Sequence, residues 1–469
     1  IKSELNNCTS MNMTNIYKMN DKKTPMYVMR PTRIFSMVVL LLISSTLFAQ
    51  SYFNPLLMNQ LGVSHSRDVA LSGANTSDYS SAMSTFSNPA NQAGFVGLKL
   101  SGSTGAITTS ENRSFPAIDQ FGDVVTNNIY VVSKGLQNTF SGGVTWGRGQ
   151  LSVSLASTPF LTPAFAFKEE IRGSLYSPNI NRDPLLGYHH LNQAGVIQSS
   201  GASIGTAFRS WSFGLGMRML HGIGLENEWG ISVLDSADVS ALAAGSNLLK
   251  AESWELDNTP FIVNMGVIKD FGLHWRVSAS YQTAYSIEST RQGANPFYDP
   301  TLDLPMLEWT SDSIASTISI PARLELGLRM KPSNSLPTAV YLSLAYQDWT
   351  QYEVSYGDSL MDADSPFEYP MQEAFTLSGG IEHWVNENVP FRAGFKWAES
   401  PLDRELSQAI LSGGSGWKSG PLQFDVAIQL SSVGYRYYDI FIPVGMSANS
   451  YENVRESKTT YSASVSYTL

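Results

Sequence analysis

Tyr461-Ser462-Ala463-Ser464-Val465-Ser466-Tyr467-Thr468-Leu469 alternates without a break. Tyr461, Ala463, Val465, Tyr467 and Leu469 occupy one set of positions, and Ser462, Ser464, Ser466 and Thr468 the other. Successive side chains on a β-strand point to opposite faces, so this segment is a strand with one apolar and one hydroxyl face. The same rhythm recurs upstream. Leu422, Phe424, Val426, Ile428 and Leu430 form an apolar row, as do Leu324, Leu326, Leu328 and Met330. So do Trp275, Val277, Ala279 and Tyr281, the row Val340, Leu342, Leu344 and Tyr346, the row Phe391, Ala393, Phe395 and Trp397, and Trp211 to Met219.

These rows run to about nine to thirteen residues, enough to cross a bilayer on a tilted strand, whereas strands of soluble proteins usually hold about five or six. Aromatic residues mark many strand ends: Trp146, Trp211, Tyr346, Trp349, Trp384, Trp397 and Tyr435. Aromatic girdles at the two membrane interfaces would give that distribution. A soluble sandwich or propeller also alternates, but with shorter strands. The expectation is therefore an all-β fold, a transmembrane antiparallel β-barrel. Counting segments gives about 14 strands over residues 94–469, and an even number suits a bacterial barrel.

Upstream, Met29-Arg30-Pro31-Thr32-Arg33 precedes an uncharged apolar run from Ile34 to Phe48, closed by Ala49-Gln50. Basic residues, an apolar stretch and a small residue make a secretory signal peptide, expected over 29–49. Residues 1–28 have no export logic and are expected to be a mis-assigned extension. The single cysteine, Cys8, lies there, so the exported chain is expected to have no disulfide and no cysteine metal site. The whole chain has formal charge −10; residues 1–49 hold six Lys/Arg and two Asp/Glu, so the remainder has 24 against 38 and carries −14. That acidity offers no electrostatic footprint for nucleic acid. Mean hydropathy is slightly negative, as expected of a barrel whose strands present half their residues to a polar lumen.

Two segments break the rhythm, 158–194 and 289–317. Both are proline-rich and are expected to be long extracellular loops. Apolar residues on long loops need a reason. Phe160, Leu161, Phe165, Phe167, Phe297 and Leu302 are candidates for capturing an apolar ligand, with loop–loop packing as the other reason. Double glycines at 142–143, 379–380 and 413–414 are compatible with bulges or with close packing against a plug.

Arg323, Arg329, Arg392 and Lys396 fall on expected lumen faces. They are candidates for holding a ligand carboxylate by charge-assisted hydrogen bonds; Glu325 and Asp425 share those faces, so an internal ion-pair network is the other reading. Arg209 and Arg218 carry the same ambiguity. Gly201-Ala202-Ser203-Ile204-Gly205 fits the nucleophile-elbow pattern but lies on a strand with no helix after it, where that chemistry does not work. His189-His190 and Asp362/Asp364 lack metal-site spacing. No catalytic site, metal or cofactor is expected.

Residues 50–93 lack long alternation and are rich in small and polar residues, which suits either a periplasmic tail or a plug inside the barrel. Here Ser72-Gly73-Ala74, Asp78, Ser80-Ser81-Ala82 and Asn88-Pro89-Ala90 resemble the N-terminal hatch of the FadL-like outer-membrane transporters. Ile320-Pro321, Tyr346-Gln347-Asp348-Trp349, and Phe391-Arg392-Ala393-Gly394-Phe395 with Ser400-Pro401 are similar to late strands and turns of that family. The resemblance covers residues 60–104 and 320–469. Ser72 stands where the family usually has glycine, and Leu469 where a terminal aromatic is common. Asn88-Pro89-Ala90 is read as a turn that sets hatch geometry. The resemblance implies a 14-stranded barrel in the outer membrane, with residues 50–93 folded inside. It implies passive uptake of long-chain fatty acids or other hydrophobic compounds: capture by apolar loops, a lumenal pocket, and exit past a shifted hatch or through a lateral gap. Near relatives of the PorV type imply an alternative, a component of a type IX secretion system with secretion proteins as partners.

Overall fold

The computed structural model describes residues 65–78, 81–118, 121, 124–161, 165–172, 185–233, 250–299, 304–332, 337–356, 371–438 and 451–469. The expected signal peptide and leading extension lie outside them. The described chain forms one closed, antiparallel, 14-stranded barrel. The strands are β1 (Gly97–Ile118), β2 (Val124–Arg148), β3 (Leu151–Leu161, resuming as Phe165–Arg172), β4 (Leu185–Phe208) and β5 (Trp211–Val233). Next come β6 (Lys250–Leu256 and Phe261–Phe271), β7 (Tyr285–Asp299 after Trp275–Gln282), β8 (Leu304–Ile320 and Arg323–Met330) and β9 (Thr338–Gln347 and Glu353–Tyr356). The last are β10 (Ala374–Asn386), β11 (Val389–Ala398), β12 (Gln408–Ser419), β13 (Leu422–Tyr438) and β14 (Tyr451–Thr468).

Closure is between β1 and β14, in register from Lys99↔Thr468 to Ser114↔Asn453. The terminal Leu469 completes the seam: its amide donates to the Leu98 carbonyl at 2.7 Å, and the Leu98 amide donates back at 3.2 Å. Closure satisfies backbone groups that hydrocarbon could not. Among the described residues no helix is long and apolar enough to cross a membrane. The strands cross instead. Leu100, Phe213, Leu215, Met217, Leu326, Leu344, Phe424 and Tyr461 point outward and are exposed, while Ser103, Ser154, Ser203, Ser280, Ser343, Ser378 and Ser464 face inward and are buried. An apolar outer belt around a hydroxyl-lined interior is the pattern of an outer-membrane barrel. Tight turns, such as those at 149–150, 209–210 and 420–421, mark the periplasmic end by the same rule.

Two expectations are corrected, and one open alternative is decided. The described residues of the segments 158–194 and 289–317 are strand: β3, β4, β7 and β8 run through them. Three prolines lie within these described strands: Pro159 beside a register shift at Pro159/Leu161 in β3, and Pro296 and Pro305 in the β7–β8 ladder, opposite Leu307 and Tyr298. Alternation weakened there because the strands continue beyond the lipid belt, where no apolar solvent imposes a two-residue period on the outer face. Second, Trp349 and Tyr435 are not girdle residues: both are buried inside. Of the two readings of the double glycines, close packing against the plug is the one seen: Gly143, Gly380 and Gly414 mark no register shift. A Cβ on each would meet Ala82, Leu71 and Ala70 respectively, so these glycines admit the hatch against the wall.

The breaks in β6, β7, β8 and β9 lie on consecutive neighbouring strands. Across the break in β7 the inward set changes from Ser278, Ser280 and Gln282 to Tyr285, Ile287 and Ser289; in β8 it changes from Ser316, Ile318 and Ile320 to Arg323, Glu325 and Arg329. A one-residue slip exchanges the two faces of a strand. Here it turns apolar residues inward just where the segments meet.

Candidate functional site

The interior is closed by residues 65–78 and 81–93. A short helix α1 (Ser66–Ala70) opens this hatch, with the His65 Nδ1 accepting the Arg67 amide at 3.3 Å. The helix stops at Leu71, where Ser72 (φ 52°) and Gly73 (φ 74°) both take left-handed backbone and the Gly73 amide returns to the Asp68 carbonyl at 2.8 Å. A serine there is strained where glycine would not be; its hydroxyl, 2.7 Å from that of Ser412, anchors it. Ala74 packs with Leu71, Ala339 and Tyr341. Asn88 caps the 3₁₀ turn Pro89–Gln92, its side chain accepting the Ala90 amide at 3.1 Å and donating to the Thr76 carbonyl at 3.3 Å. Thus all six hatch candidates, Ser72, Gly73, Ala74, Asn88, Pro89 and Ala90, lie in turns pressed against the wall.

Both parts of the hatch make hydroxyl contacts and close backbone approaches to the wall, and residues 65–78 add an ion-pair network. Residues 65–78 engage a charge-alternating chain. Asp425 accepts from Arg392 at 2.7 Å, and Arg392 donates to Glu382 at 2.6 Å. Glu382 also accepts from Arg67 at 2.8 and 3.1 Å. Arg67 reaches the Asp78 carbonyl at 2.5 Å, its carboxylate at 3.3 Å and the Tyr341 hydroxyl at 3.0 Å. Asp78 in turn meets Arg329 at 3.2 Å and Arg276 at 3.5 Å. Residues 81–93 are held by neutral groups. Thr85 and Ser203 share a hydrogen bond of 2.6 Å, Gln92 donates to Ser203 at 2.9 Å, and Asn264 donates to the Thr85 carbonyl at 3.2 Å. Backbone approach is closest at Gly214, where a Cβ would collide with the Pro89 carbonyl and the Ala90 amide.

Above the hatch lies a cavity of about 510 Å³. One side of its wall carries an apolar patch. There Phe160, Tyr285, Ile320, Trp349 and Ala374 line the cavity, interleaved with Arg218, Gln282 and Gln347; behind them the apolar cluster continues through Leu161, Ile197, Leu220, Ile262, Ile287 and Ile318. The other side, on β11–β14 and β1–β2, is polar and charged, with Lys396, Gln429, Tyr435, Glu456, Lys458 and Glu111. The floor includes Asp68, Val69, Ser72 and Gly73 of the hatch. Lys396 Nζ would lie 3.4 Å from a Cβ on Gly73.

The structure separates the sequence candidates. Arg329 and Arg392 are consumed by the ion chain, and Arg323 pairs with Glu325 at 3.5 Å. Lys396 faces the cavity and forms no ion pair among the described residues. Arg218 also borders the cavity; it donates to Gln282 at 2.7 Å and lies over the Phe160 ring at 5.8 Å. Phe160, Leu161, Phe165 and Phe167 are buried rather than displayed on loops. The first two belong to the apolar wall; Phe165 and Phe167 stack at 6.3 Å, with Arg113 over Phe167 at 5.0 Å. Leu302 and the side chain of Phe297 lie outside the described residues, as do Asp362 and Asp364. Ser203 of the elbow-like pattern sits in β4, bonded to the hatch. His189 has Glu169 at 4.0 Å; among the described residues no three His, Cys, Asp or Glu converge as metal ligands. Sequence reasoning missed most of the apolar wall. Its signal was a short polar or proline interruption between apolar residues, as in Leu256-Asp257-Asn258-Thr259-Pro260-Phe261 and Ile320-Pro321-Ala322.

No protein-family model and no curated protein sequence matches this chain. Solved structures do. A Pseudomonas aeruginosa FadL homologue superposes with a TM-score of 0.59 at 13% identity, over 87% of this chain and 99% of that one. The Pseudomonas putida toluene transporter TodX gives 0.55 at 13% identity, over 88% and 100%. The Ralstonia pickettii toluene transporter TbuX gives 0.52 at 13%, over 87% and 99%. At this identity the likeness establishes a FadL-like fold, a plugged outer-membrane barrel.

Proposed function

We propose that this protein is a passive outer-membrane conduit for hydrophobic compounds, and that its preferred cargo is a long-chain fatty acid or a similar molecule with an apolar body and an acidic head. The observation that carries this reading is the two-faced cavity. The apolar patch of Phe160, Phe165, Tyr285, Ile320, Trp349 and Ala374 in the cavity lining offers burial to a chain, at about 0.8 kcal/mol per methylene removed from water. Lys396 and Lys458 on the opposite wall offer a cationic partner to a carboxylate. The structural neighbours carry names of transporters and channels for toluene and monoaromatic hydrocarbons, which supports hydrophobic passage. A monoaromatic hydrocarbon has no head group for the lysine side, and for that reason the acid-headed class fits this lumen better.

The test compares palmitate, hexadecanol and toluene as ligands of the purified barrel, with uptake of labelled oleate by a deletion strain and its complemented parent. Palmitate is expected to bind at least tenfold more tightly than hexadecanol, and oleate uptake to fall on deletion. Tight toluene binding with no preference for the acid, together with unchanged oleate uptake, would defeat the proposal.

A further inference from the structure

We infer that the cavity takes acids with an anionic group at each end, of which a long-chain α,ω-dicarboxylate is the simplest, held between Lys396 on β11 and Arg218 on β5. The inference rests on the uptake reading for a cargo with an apolar body and an acidic head, and goes beyond it in what the far end of that cargo carries.

Arg218 is the group that calls for a partner. It is 3% exposed and lines the cavity on the side of the apolar patch. Its Nη2 donates to Gln282 at 2.7 Å, its Nε has no hydrogen-bond partner, and it forms no ion pair among the described residues. The rings of Phe86 and Phe160 lie 5.9 and 5.8 Å from its guanidinium carbon. Arginine stays protonated in a protein, so the charge is permanent, and the two rings offset only part of the cost of burying it. Other buried arginines of the lumen are compensated in full. Arg392 meets Glu382 and Asp425, Arg113 meets Glu111 and Glu452, and Arg67 meets Glu382 and Asp78. Each of those has two carboxylates; Arg218 has none.

Strand order sets Arg218 across the lumen from Lys396. β5 and β11 are six strands apart in a ring of 14, nearly half a turn. Both side chains stand over the hatch, Arg218 beside Phe86 and Lys396 beside Gly73. Strands about 4.8 Å apart and tilted about 40° put the backbone of such a ring on a circle roughly 28 Å across. Two long side chains reaching inward shorten that distance from both ends, to a gap that an extended chain of intermediate length bridges. The five carboxylates of the lining already have partners, Glu325 in Arg323 and Glu399 in Arg404 among them. Neither Lys396 nor Arg218 draws on them.

The two cations make opposite demands on the two ends of a simple fatty acid. With its carboxylate at Lys396, its methyl end arrives at the far wall, beside a guanidinium that gains nothing from it. A dicarboxylate brings a second carboxylate there, which accepts the guanidinium hydrogens in charge-assisted bonds. The methylenes between the two heads lie against Phe160, Tyr285 and Ile320. Without a second anchor the preference runs the other way, because a carboxylate moved from water to an apolar wall loses its hydration with no return. The sign of the difference between diacid and monoacid therefore decides.

Calorimetric titration of the purified barrel at neutral pH tests this, with each diacid compared with the monoacid of its own length: octanedioate, dodecanedioate and hexadecanedioate against octanoate, dodecanoate and palmitate. Equal length cancels the contribution of the methylenes. Dodecanedioate is expected to bind at least tenfold more tightly than dodecanoate, and the diacid advantage to be smaller for the shortest pair, because two fixed anchors select a span. Arg218→Met is expected to reverse the order of diacid and monoacid, and Arg218→Lys, which keeps the cation, to leave the diacid ahead. Folding of each variant is checked by heat-modifiable migration; the length series on the unaltered protein decides even where a variant does not fold. Diacids bound more weakly than their monoacids at every length, or an advantage that survives Arg218→Met, overturn the inference; tight palmitate binding in that case leaves the fatty-acid reading standing. Diacids bound where no monoacid binds would uphold the two anchors and refute the fatty-acid reading, and binding of neither class overturns both.

Discussion

Glu382→Gln separates the charge chain at its centre. Glu382 is nearly buried and receives Arg67 through two hydrogen bonds, at 2.8 and 3.1 Å, and Arg392 at 2.6 Å. The substitution keeps the shape but removes the negative charge between two buried guanidinium groups. Loss of one partner from a buried pair typically costs about 3–5 kcal/mol. The low end applies here, because Arg67 keeps Asp78, Arg392 keeps Asp425 and the amide oxygen still accepts one bond. About 3 kcal/mol, at about 1.4 kcal/mol per tenfold, raises the undocked population of residues 65–78 roughly 100-fold. Backbone hydrogen exchange followed by mass spectrometry reads this directly. The amides of Ser72, Gly73, Ala74 and Asp78, which donate to Val69, Asp68, Leu71 and Asn75, should exchange about 100-fold faster. This fold-change takes local opening as the exchange step. The amides of Ser84, Ser87, Asn91 and Ala93 should keep their rates. Protection of the first group within threefold of the parent protein would show that the ion chain does not hold the hatch.

Lys396→Met should weaken palmitate binding roughly 10- to 100-fold, the equivalent of one charge-assisted hydrogen bond of about 1.5–3 kcal/mol, and leave hexadecanol binding unchanged; equal losses for both ligands in a titration would remove the head-group role. His65 is buried, with its two ring nitrogens 3.1 and 3.3 Å from the Ser466 and Ser464 hydroxyls, and burial pushes its imidazole down to about 4. The undocked hatch would bind the proton near the ordinary value of 6.5. Hatch docking is therefore firmest above about pH 6.5 and weakens as pH falls toward 4, which proteolysis of the hatch across that range should register and His65→Gln should abolish. Gly214→Val should displace Pro89–Gln92 from the wall, raising bilayer conductance and sensitivity to bulky antibiotics; a variant as tight as the parent would contradict the close approach.

Much of the fold was legible along single strands. The alternation from Tyr461 to Leu469 placed tyrosine and valine outward and serine inward, and β14 has that arrangement. The inward faces of Arg329 and Arg392 were legible for the same reason, since a period of two is local and needs no partner. The ion chain was not. Arg67 is 315 residues from Glu382, and only docking of the hatch inside the barrel brings it within hydrogen-bond distance of the Glu382–Arg392–Asp425 row. The apolar cavity wall was hidden by the strand breaks. Ile318 and Ile320 look like the outward row of a strand until the slip at Pro321-Ala322 assigns them to the lumen. Phe160 and Phe165 looked like loop residues for the converse reason: beyond the lipid belt the outer face is no longer apolar, and the rhythm fades.

The sequence by itself determined that these strands cross a membrane as a barrel, because the solvents on the two faces of each strand write themselves into alternate residues; the hatch upstream was implied only by the family resemblance of Ser72-Gly73-Ala74 and Asn88-Pro89-Ala90. Tertiary structure alone decided which cations are spent inside the wall and which stands at the cavity. Ion pairing depends on distances across the lumen, set by strand order, register and breaks acting together. Lys396 and Arg392 occupy the same face of one strand, four residues apart; only the hatch and the neighbouring carboxylates make one a latch and leave the other to the cavity.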